Sequence, residues 1–238
     1  MIHRGRHRYR SHAGIPYGST NKLGSKLALY LQHNLDIEAG QWDDQSPNNR
    51  HATQSTSGDQ AAVSGGGLDF ESGEGDHYDL ASEVTISSEE GFIVFIVCDI
   101  ESIATNMTIL SKNDATHFLQ FVAGADDISI KLASTNTTAS PSTTNLFHTT
   151  SGKFLLTVER EAGGTGNINL YKNGVLLAQG SQAANIGDAE FVALGVRNAD
   201  RYFDGIIYDV AFIEAGAGTA AIRDRINVYL TSKHAIHE

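Results

Sequence analysis

From residue 27 onward, apolar residues come in short bursts separated by polar turns, a rhythm that predicts strands rather than helices. LALYL (27–31), MTILS (107–111), HFLQFVA (117–123) and ISIKLA (128–133) are bursts of strand length at regular spacing. GLDFESGEGDHYDLAS (67–82) carries two short apolar patches around a Gly-Asp turn. GFIVFIVC (91–98) is a continuous apolar run rich in β-branched and aromatic residues, which predicts a central strand covered on both faces. KFLLTVER (153–160) alternates, with Phe154, Leu156 and Val158 on one face. In NINLYKNGVLLAQ (167–179), Asn173 and Gly174 supply the two positive-φ positions of a type I′ turn between paired strands. FVALGVR (191–197) and FDGIIYDVAFIEA (203–215) complete the pattern, with Ile206, Tyr208, Val210 and Phe212 expected on one side. QWDDQSPNNRHATQ (41–54) reads as a polar loop, and the Ser/Thr-rich stretch 134–151 as an exposed loop around a poor edge strand.

Only the end of the chain has a helical period. Ile222, Ile226, Tyr229 and Leu230 recur at i, i+4, i+7 and i+8, and Thr219 is placed to cap the start. Residues 1–26 follow neither period and are punctuated by Gly5, Gly14, Pro16, Gly18 and Gly24, which predicts an extended arm. The expected fold is therefore all-β: an antiparallel β-sandwich over 27–238, with one short C-terminal helix, preceded by the arm of residues 1–26.

Composition agrees with that reading. The 238 residues include 24 Gly and 3 Pro, and 19% are charged, which suits short strands joined by polar turns. The net charge of −11 hides an asymmetry. The first 35 residues hold six basic side chains and no acid, leaving 11 basic against 28 acidic in the rest. An acidic body repels phosphates, so no nucleic acid is expected as partner. No apolar run reaches membrane-spanning length, and no h-region follows the basic start, so neither a membrane nor a signal peptide is expected. The single cysteine, Cys98, lies within the apolar run and is expected to be an inert core thiol.

Several strings, in order along residues 27–232, resemble the concanavalin A-like lectin/glucanase superfamily in its laminin G-like jelly-roll form. Trp42, Asp43, Ser46, Asn48, Asn49 and Ala52 resemble its Trp-Asp-Ser-Gly-Asn segment before an Ala-Thr stretch. Leu68, Asp69 and Phe70 with Tyr78 to Leu80 resemble its Leu-Asp-Phe … Tyr-Leu element. Leu170, Tyr171, Asn173 and Gly174 match its central hairpin, and Phe203, Gly205, Ile206 and Val210 its final strand. The family includes carbohydrate-binding modules, glucanases, adhesion domains and virion proteins of tailed bacteriophages. Fold does not choose among these.

The resemblance makes two carboxylates on one strand the test for hydrolysis, because the glucanase branch carries Glu-x-Asp-x-(x)-Glu there. No such string occurs. Glu89 and Glu90 are adjacent and would face opposite ways, and Glu159 and Glu161 lack the middle Asp, so no enzyme is expected. No nucleophile-elbow string or phosphate-binding glycine loop is found, and Gly65-Gly66-Gly67 reads as a turn. His234 and His237 lack further metal ligands nearby, and no cofactor is expected. Related lectin-like sandwiches bind calcium through loop carboxylates and carbonyls; Asp43, Asp44, Asp76, Asp79, Asp126 and Asp127 are loop candidates without an ordering motif. Trp42 beside Asp43 and Asp44 is the candidate glycan platform, against a reading of Trp42 as a packed anchor favoured by the family comparison. Tyr202 near Asp200 is a second candidate.

The arm carries the remaining chemistry. Arg4, Arg6, Arg8 and Arg10, with His7 and Tyr9 between them, would form one guanidinium row in an extended chain. Guanidinium forks suit carboxylates, so the expected partner is an acidic neighbouring protein subunit, in a homo-oligomer or particle. The leading expectation is a non-catalytic structural component of a bacteriophage virion, made in the host cytoplasm, as a decoration, neck or fibre-associated subunit. The alternative is a carbohydrate-binding module or lectin that recognises a cell-surface glycan.

Overall fold

The structure, a computed structural model, describes residues 26–236 apart from 89, 124–126, 134, 140–146, 148–151, 163–166, 181–186 and 216–218. Of the expected arm, only Lys26 falls among them. In chain order the first strands are β1 (Leu27–Leu31), β2 (Ile37–Glu38), β3 (Gln41–Trp42), β4 (Ala52–Thr53), β5 (Ala62–Ser64) and β6 (Gly67–Phe70). Then come β7 (Tyr78–Ile86), β8 (Gly91–Ile100), β9 (Met107–Ser111), β10 (Phe118–Phe121), β11 (Ile128–Leu132) and β12 (Thr135–Ala139). The last are β13 (Phe154–Arg160), β14 (Ile168–Lys172), β15 (Val175–Gly180), β16 (Ala189–Leu194) and β17 (Gly205–Ala215), followed by helix α1 (Thr219–Lys233).

They form two antiparallel sheets. The first runs β15-β14-β13-β8-β17-β6-β5, with β1 also paired to β17. The second runs β12-β11-β10-β9-β16-β7-β4-β3-β2. β12 stands at the edge, as the Ser/Thr-rich stretch suggested, whereas the expected loop 41–54 contains β3 and β4.

The apolar run of β8 explains the layering. Phe92, Val94, Ile96 and Cys98 point between the sheets, and Ile93, Phe95 and Val97 point to the outer face, beneath α1. One strand thus serves two cores, which is why its pattern is continuous rather than alternating. Burial pushes the Cys98 thiol far up, as expected of an inert core cysteine.

β17 departs from simple alternation. Its register against β8 shifts between Ile207 and Asp209, a bulge at Tyr208. The extra residue turns Ile206 and Tyr208 to the outer cluster while Val210 and Phe212 face the sandwich core, so these four do not share a side as the sequence pattern suggested. On the edge of β17 away from β8, β6 pairs with Gly205 to Ile207 and β1 with Val210 to Ile213.

Helix α1 lies on the outer face of the first sheet through Ile226 and Leu230, with Ile222 and Tyr229 alongside. Three polar contacts fix it: Thr157 donates to Asn227 (2.7 Å), Arg223 pairs with buried Glu159 (2.7 Å), and Lys233 pairs with buried Asp209 (2.9 Å). Thr219 opens the helix as its first residue, one position inside the expected cap.

Beyond the C-terminal end of α1 the same outer face is acidic. Register sets Asp69, Ile206 and Asp99 side by side across three strands. Glu71, Glu101 and Asp204 lie close enough to add their charges. Burial, then the neighbouring Asp204 carboxylate, raises the Asp69 carboxyl above its ordinary value. A raised carboxyl makes its most favourable contribution to stability below the ordinary carboxylate pKa, and that contribution is lost as pH rises through the folded-state value.

Two outcomes follow. In the β14–β15 hairpin, Asn173 (φ 52°) and Gly174 (φ 87°) both occupy the left-handed region, with Lys172 opposite Val175. Gly174→Val is therefore expected to cost roughly 1–2 kcal/mol in denaturant unfolding, because a β-branched residue resists positive φ; an unchanged midpoint would contradict the turn. Asp69→Asn is expected to raise the melting temperature at pH 7, with the gain shrinking below about pH 4, where the wild-type carboxyl is itself protonated.

Candidate binding cleft at the Trp42 hairpin

The segment Asp36 to Asp43 is a tight hairpin. Ile37 pairs with Trp42 and Glu38 with Gln41, leaving Ala39 and Gly40 as the turn, and Asp43 N donates to Asp36 O (2.9 Å). Alternation then sorts the side chains. Ile37 and Trp42 turn toward the core, while Asp36, Glu38, Gln41 and Asp43 turn the other way. The turn is held from below, where the Tyr78 hydroxyl donates to Ala39 O, and from the side, where Gln54 N donates to Gly40 O (2.9 Å).

Trp42 anchors this arrangement. Its side chain is 0% exposed and its indole N–H donates to Gln32 O (3.1 Å). It has no free face to stack on a sugar, which corrects its role as a glycan platform in favour of the packed anchor. Asp44 is likewise structural. Buried, it accepts from Tyr30 N, Ser46 N, Ser46 Oγ and Arg50 N at 2.7–2.8 Å, tying the 44–50 loop to β1. A carboxylate so fully engaged has little left for a ligand.

Asp43 alone of the three glycan candidates reaches open space. It lines a cleft of about 220 Å3 with Asp36, Glu38 and Gln41. Its carboxylate accepts from the Gln41 amide, and its Oδ1 lies 3.1 Å from His51 Nδ1. The same Nδ1 lies 3.2 Å from Asp44 N, a donor, so the position of the ring proton selects which contact forms. Cross-strand register carries the polar strip on through Thr53 to Asp79, both exposed.

The other candidates are dispersed. The arm residues Arg4, Arg6, His7, Arg8, Tyr9 and Arg10 lie outside the described residues, as do Glu89, Asp126 and His237. Tyr202 is half-buried, its ring 6.1 Å from that of His77. Asp76 is buried, with one oxygen accepting from Glu71 N (2.8 Å), and Asp127 meets Val122 through its backbone carbonyl. Among the described residues no three His, Cys, Asp or Glu side chains come together as a metal-ligand set. His234 is bound to Asp209. Glu159 is 2% exposed and accepts from Arg223, Tyr171 and Asn169, while Glu161 accepts from Asn167 and Asn169.

Asp36, Glu38 and Gln41 escaped the sequence reading because 32–40 was assigned to no element. The signal was present: Asp-Ile-Glu and Gln-Trp-Asp mirror each other about Ala39-Gly40, with one apolar residue centred in each arm.

No protein-family model matches the chain, and no curated protein sequence does. Solved structures do. Domain 4 of AbnA, a GH43 extracellular arabinanase from Geobacillus stearothermophilus determined with arabinotriose, is 17% identical with a TM-score of 0.60; the match covers 84% of this chain and 98% of that one. The binding domain of Paraclostridial Mosquitocidal Protein 1 is 13% identical (TM-score 0.64, 87% and 53% covered). The ligand-binding domain of botulinum neurotoxin serotype D, determined with N-acetylneuraminic acid, is 18% identical (TM-score 0.58, 89% and 52% covered). The chain thus spans about half the length of the toxin domains and nearly all of the arabinanase domain. At these identities the likeness is one of fold: this chain shares its two-sheet β-sandwich with binding domains of enzymes and toxins.

Proposed function

We propose that the chain is a non-catalytic recognition module, a lectin-like jelly-roll sandwich that binds a neutral, hydroxyl-rich saccharide in the Trp42-hairpin cleft. The observation that carries this reading is the outward quartet Asp36, Glu38, Gln41 and Asp43. Carboxylates accept charge-assisted hydrogen bonds from sugar hydroxyls, and the Gln41 amide offers a donor and an acceptor. The buried Trp42–Ile37 side of the same hairpin makes the quartet rigid, which lowers the ordering cost of binding. Three carboxylates repel an anionic sugar, so sialic and uronic acids are the wrong class. The ligand named with the arabinanase domain, arabinotriose, is of the neutral class. A binding rather than hydrolytic role is supported by Glu159 and Glu161, whose oxygens are committed to structural hydrogen bonds.

A second reading keeps the virion subunit, on one observation: the acidic face around Ile206. Asp69, Asp99 and their neighbours offer countercharge for the Arg4–Arg10 row of an adjoining copy, and a head-to-tail contact of that kind builds rings or fibres.

On a glycan array the protein is expected to retain neutral oligosaccharides and pass over sialylated ones. Glu38→Gln with Asp43→Asn should weaken that binding at least about tenfold, as loss of charge-assisted bonds implies. Retention of acidic glycans alone, or unchanged binding by the double variant, would reject the cleft. For the second reading, deleting residues 2–12 should leave the melting temperature unchanged and abolish self-association in sedimentation, and salt should weaken the intact assembly. A truncated chain that still associates would remove the arm from the account.

A further inference from the structure

His51 stands one residue before β4, and its backbone is fixed there by a bond from Ala81 N to His51 O (2.9 Å). Its ring nitrogen Nδ1 faces two groups with opposite needs. Asp43 Oδ1, an acceptor, lies 3.1 Å away, and the Asp44 backbone N–H, a donor, lies 3.2 Å away. An imidazole nitrogen points in one in-plane direction, filled either by a proton or by a lone pair. Nδ1 therefore serves one of these groups at a time. With the ring proton on Nε2, Nδ1 accepts from Asp44 N, and Asp43 Oδ1 faces a lone pair and is left for another donor. With a proton on Nδ1, the ring donates to Asp43 and Asp44 N loses that acceptor. Neither group can shift to keep both bonds. Asp44 is anchored by the four bonds its carboxylate accepts from Tyr30, Ser46 and Arg50, and Asp43 by its own N–H on Asp36 O.

We propose that His51 gates the saccharide cleft through the position of this proton, an inference that rests on the cleft being the saccharide site proposed above. The neutral ring has a choice: moving its proton from Nδ1 to Nε2 satisfies Asp44 N and opens Asp43 to a sugar hydroxyl. The doubly protonated ring has none. It holds no lone pair for Asp44 N, and its Nδ1–H ties up the Asp43 carboxylate. Ring protonation and sugar thus compete for one carboxylate, so each weakens the binding of the other, and acid closes the gate. The ring and Asp43 are both 34% exposed, so proton and sugar reach them from solvent. The other charged groups nearby do not share the choice. The Arg50 guanidinium is committed to Ala28 O and Glu83 O, and the Asp44 carboxylate is saturated. Asp79 and Glu83 stand on β7 to either side of Ala81, and Asp36 and Glu38 line the cleft with Asp43.

Two measurements test the gate, and the first needs no sugar. In the full-length wild-type protein, NMR of the ring nitrogens follows His51 as it takes up its second proton. Protection of the Asp44 amide from hydrogen exchange, corrected for the intrinsic rate, should fall several-fold with the same midpoint. Protection that ignores the ring would overturn the switch. The second measurement is calorimetry with arabinotriose as a neutral probe, from about pH 8 to about pH 5. Wild-type affinity should fall several-fold toward acid. His51→Asn, whose side-chain oxygen accepts from Asp44 N at every pH, should lack that step. Acid effects on Asp36, Glu38, Asp79 and Glu83 would appear in both proteins, so the difference between them isolates the ring. Equal pH dependence in both proteins, or none in the wild type, would overturn the gate while leaving the saccharide site standing. No binding of the probe at any pH, with the protection step present, would reject arabinotriose and the gating role together and leave only the proton switch.

Discussion

A single buried carboxylate holds three parts of the molecule in relation. Asp209 is 0% exposed, directly after the bulge in β17, and a charge there is tolerated only when its bonds are made. Lys233 Nζ reaches both oxygens at 2.9–3.0 Å, His33 N donates to Oδ1 (3.0 Å), and the His234 ring closes the set. The partners come from the strand, from the segment leaving β1 and from the end of the helix. The bulge is what turns Asp209 toward them, so the local irregularity and the buried charge explain each other. Removing one member of such a set strands the others, at a cost of about 3–5 kcal/mol. The aromatic surroundings deepen the burial: the His33 and His234 rings lie 4.9 Å apart, and Lys153 sits 3.6 Å over the Tyr208 ring. Burial, with Asp209 next to it, pushes the Tyr30 hydroxyl far above its ordinary range, so it stays protonated.

β1 carries that constraint to the cleft. Its outer face meets the Asp209 set through Tyr30 and the following His33, and Tyr30 N is also the donor that orients Asp44. Asp44 fixes the loop after β3, and Trp42 fixes β3 beneath it by its bond to Gln32 O. A short strand of five residues thus connects the helix end on one sheet with the hairpin on the other. Two-residue strands such as β2 and β3 have little stability of their own. They hold a defined cleft because the buried indole and the buried carboxylate are each bonded to a part of the chain that is itself fixed.

The strands legible in the sequence were those with a periodic or continuous apolar signal. LALYL and MTILS are β1 and β9 to the residue, and the Asn173–Gly174 hairpin has the expected register. What escaped was set by tertiary bonds. β2, β3 and β4 are too short for a period, and their polar residues read as loop because half of them do face water. The bulge in β17 was invisible because Ile206, Tyr208, Val210 and Phe212 alternate in the sequence, whereas the chain spends Tyr208 on an extra position. For the candidate cleft, Asp43 was named from the sequence, and Trp42 was named both as a platform and as the packed anchor that its burial shows it to be. A lone Trp among acids is equally the signature of a platform and of an anchor, and only burial separates them.

Both outer faces carry carboxylates, but in different surroundings, and that bears on what each could recognise. The acidic face of the first sheet concentrates carboxylates whose burial and mutual repulsion raise Asp69, Glu71 and Glu101, an arrangement unfavourable to folding at neutral pH unless a cation or a basic segment relieves it. The cleft on the second sheet also presents carboxylates, and there Asp43 has the Gln41 amide and the His51 ring beside it. A face that stores repulsion gains from charge, so its natural partner is basic and its binding is salt-sensitive. A carboxylate that already has an amide and an imidazole beside it gains from hydroxyl donors that complete its hydrogen bonds. Under the function proposed above, this difference, rather than the number of acids, is what suits a basic protein segment to one sheet and a saccharide to the other.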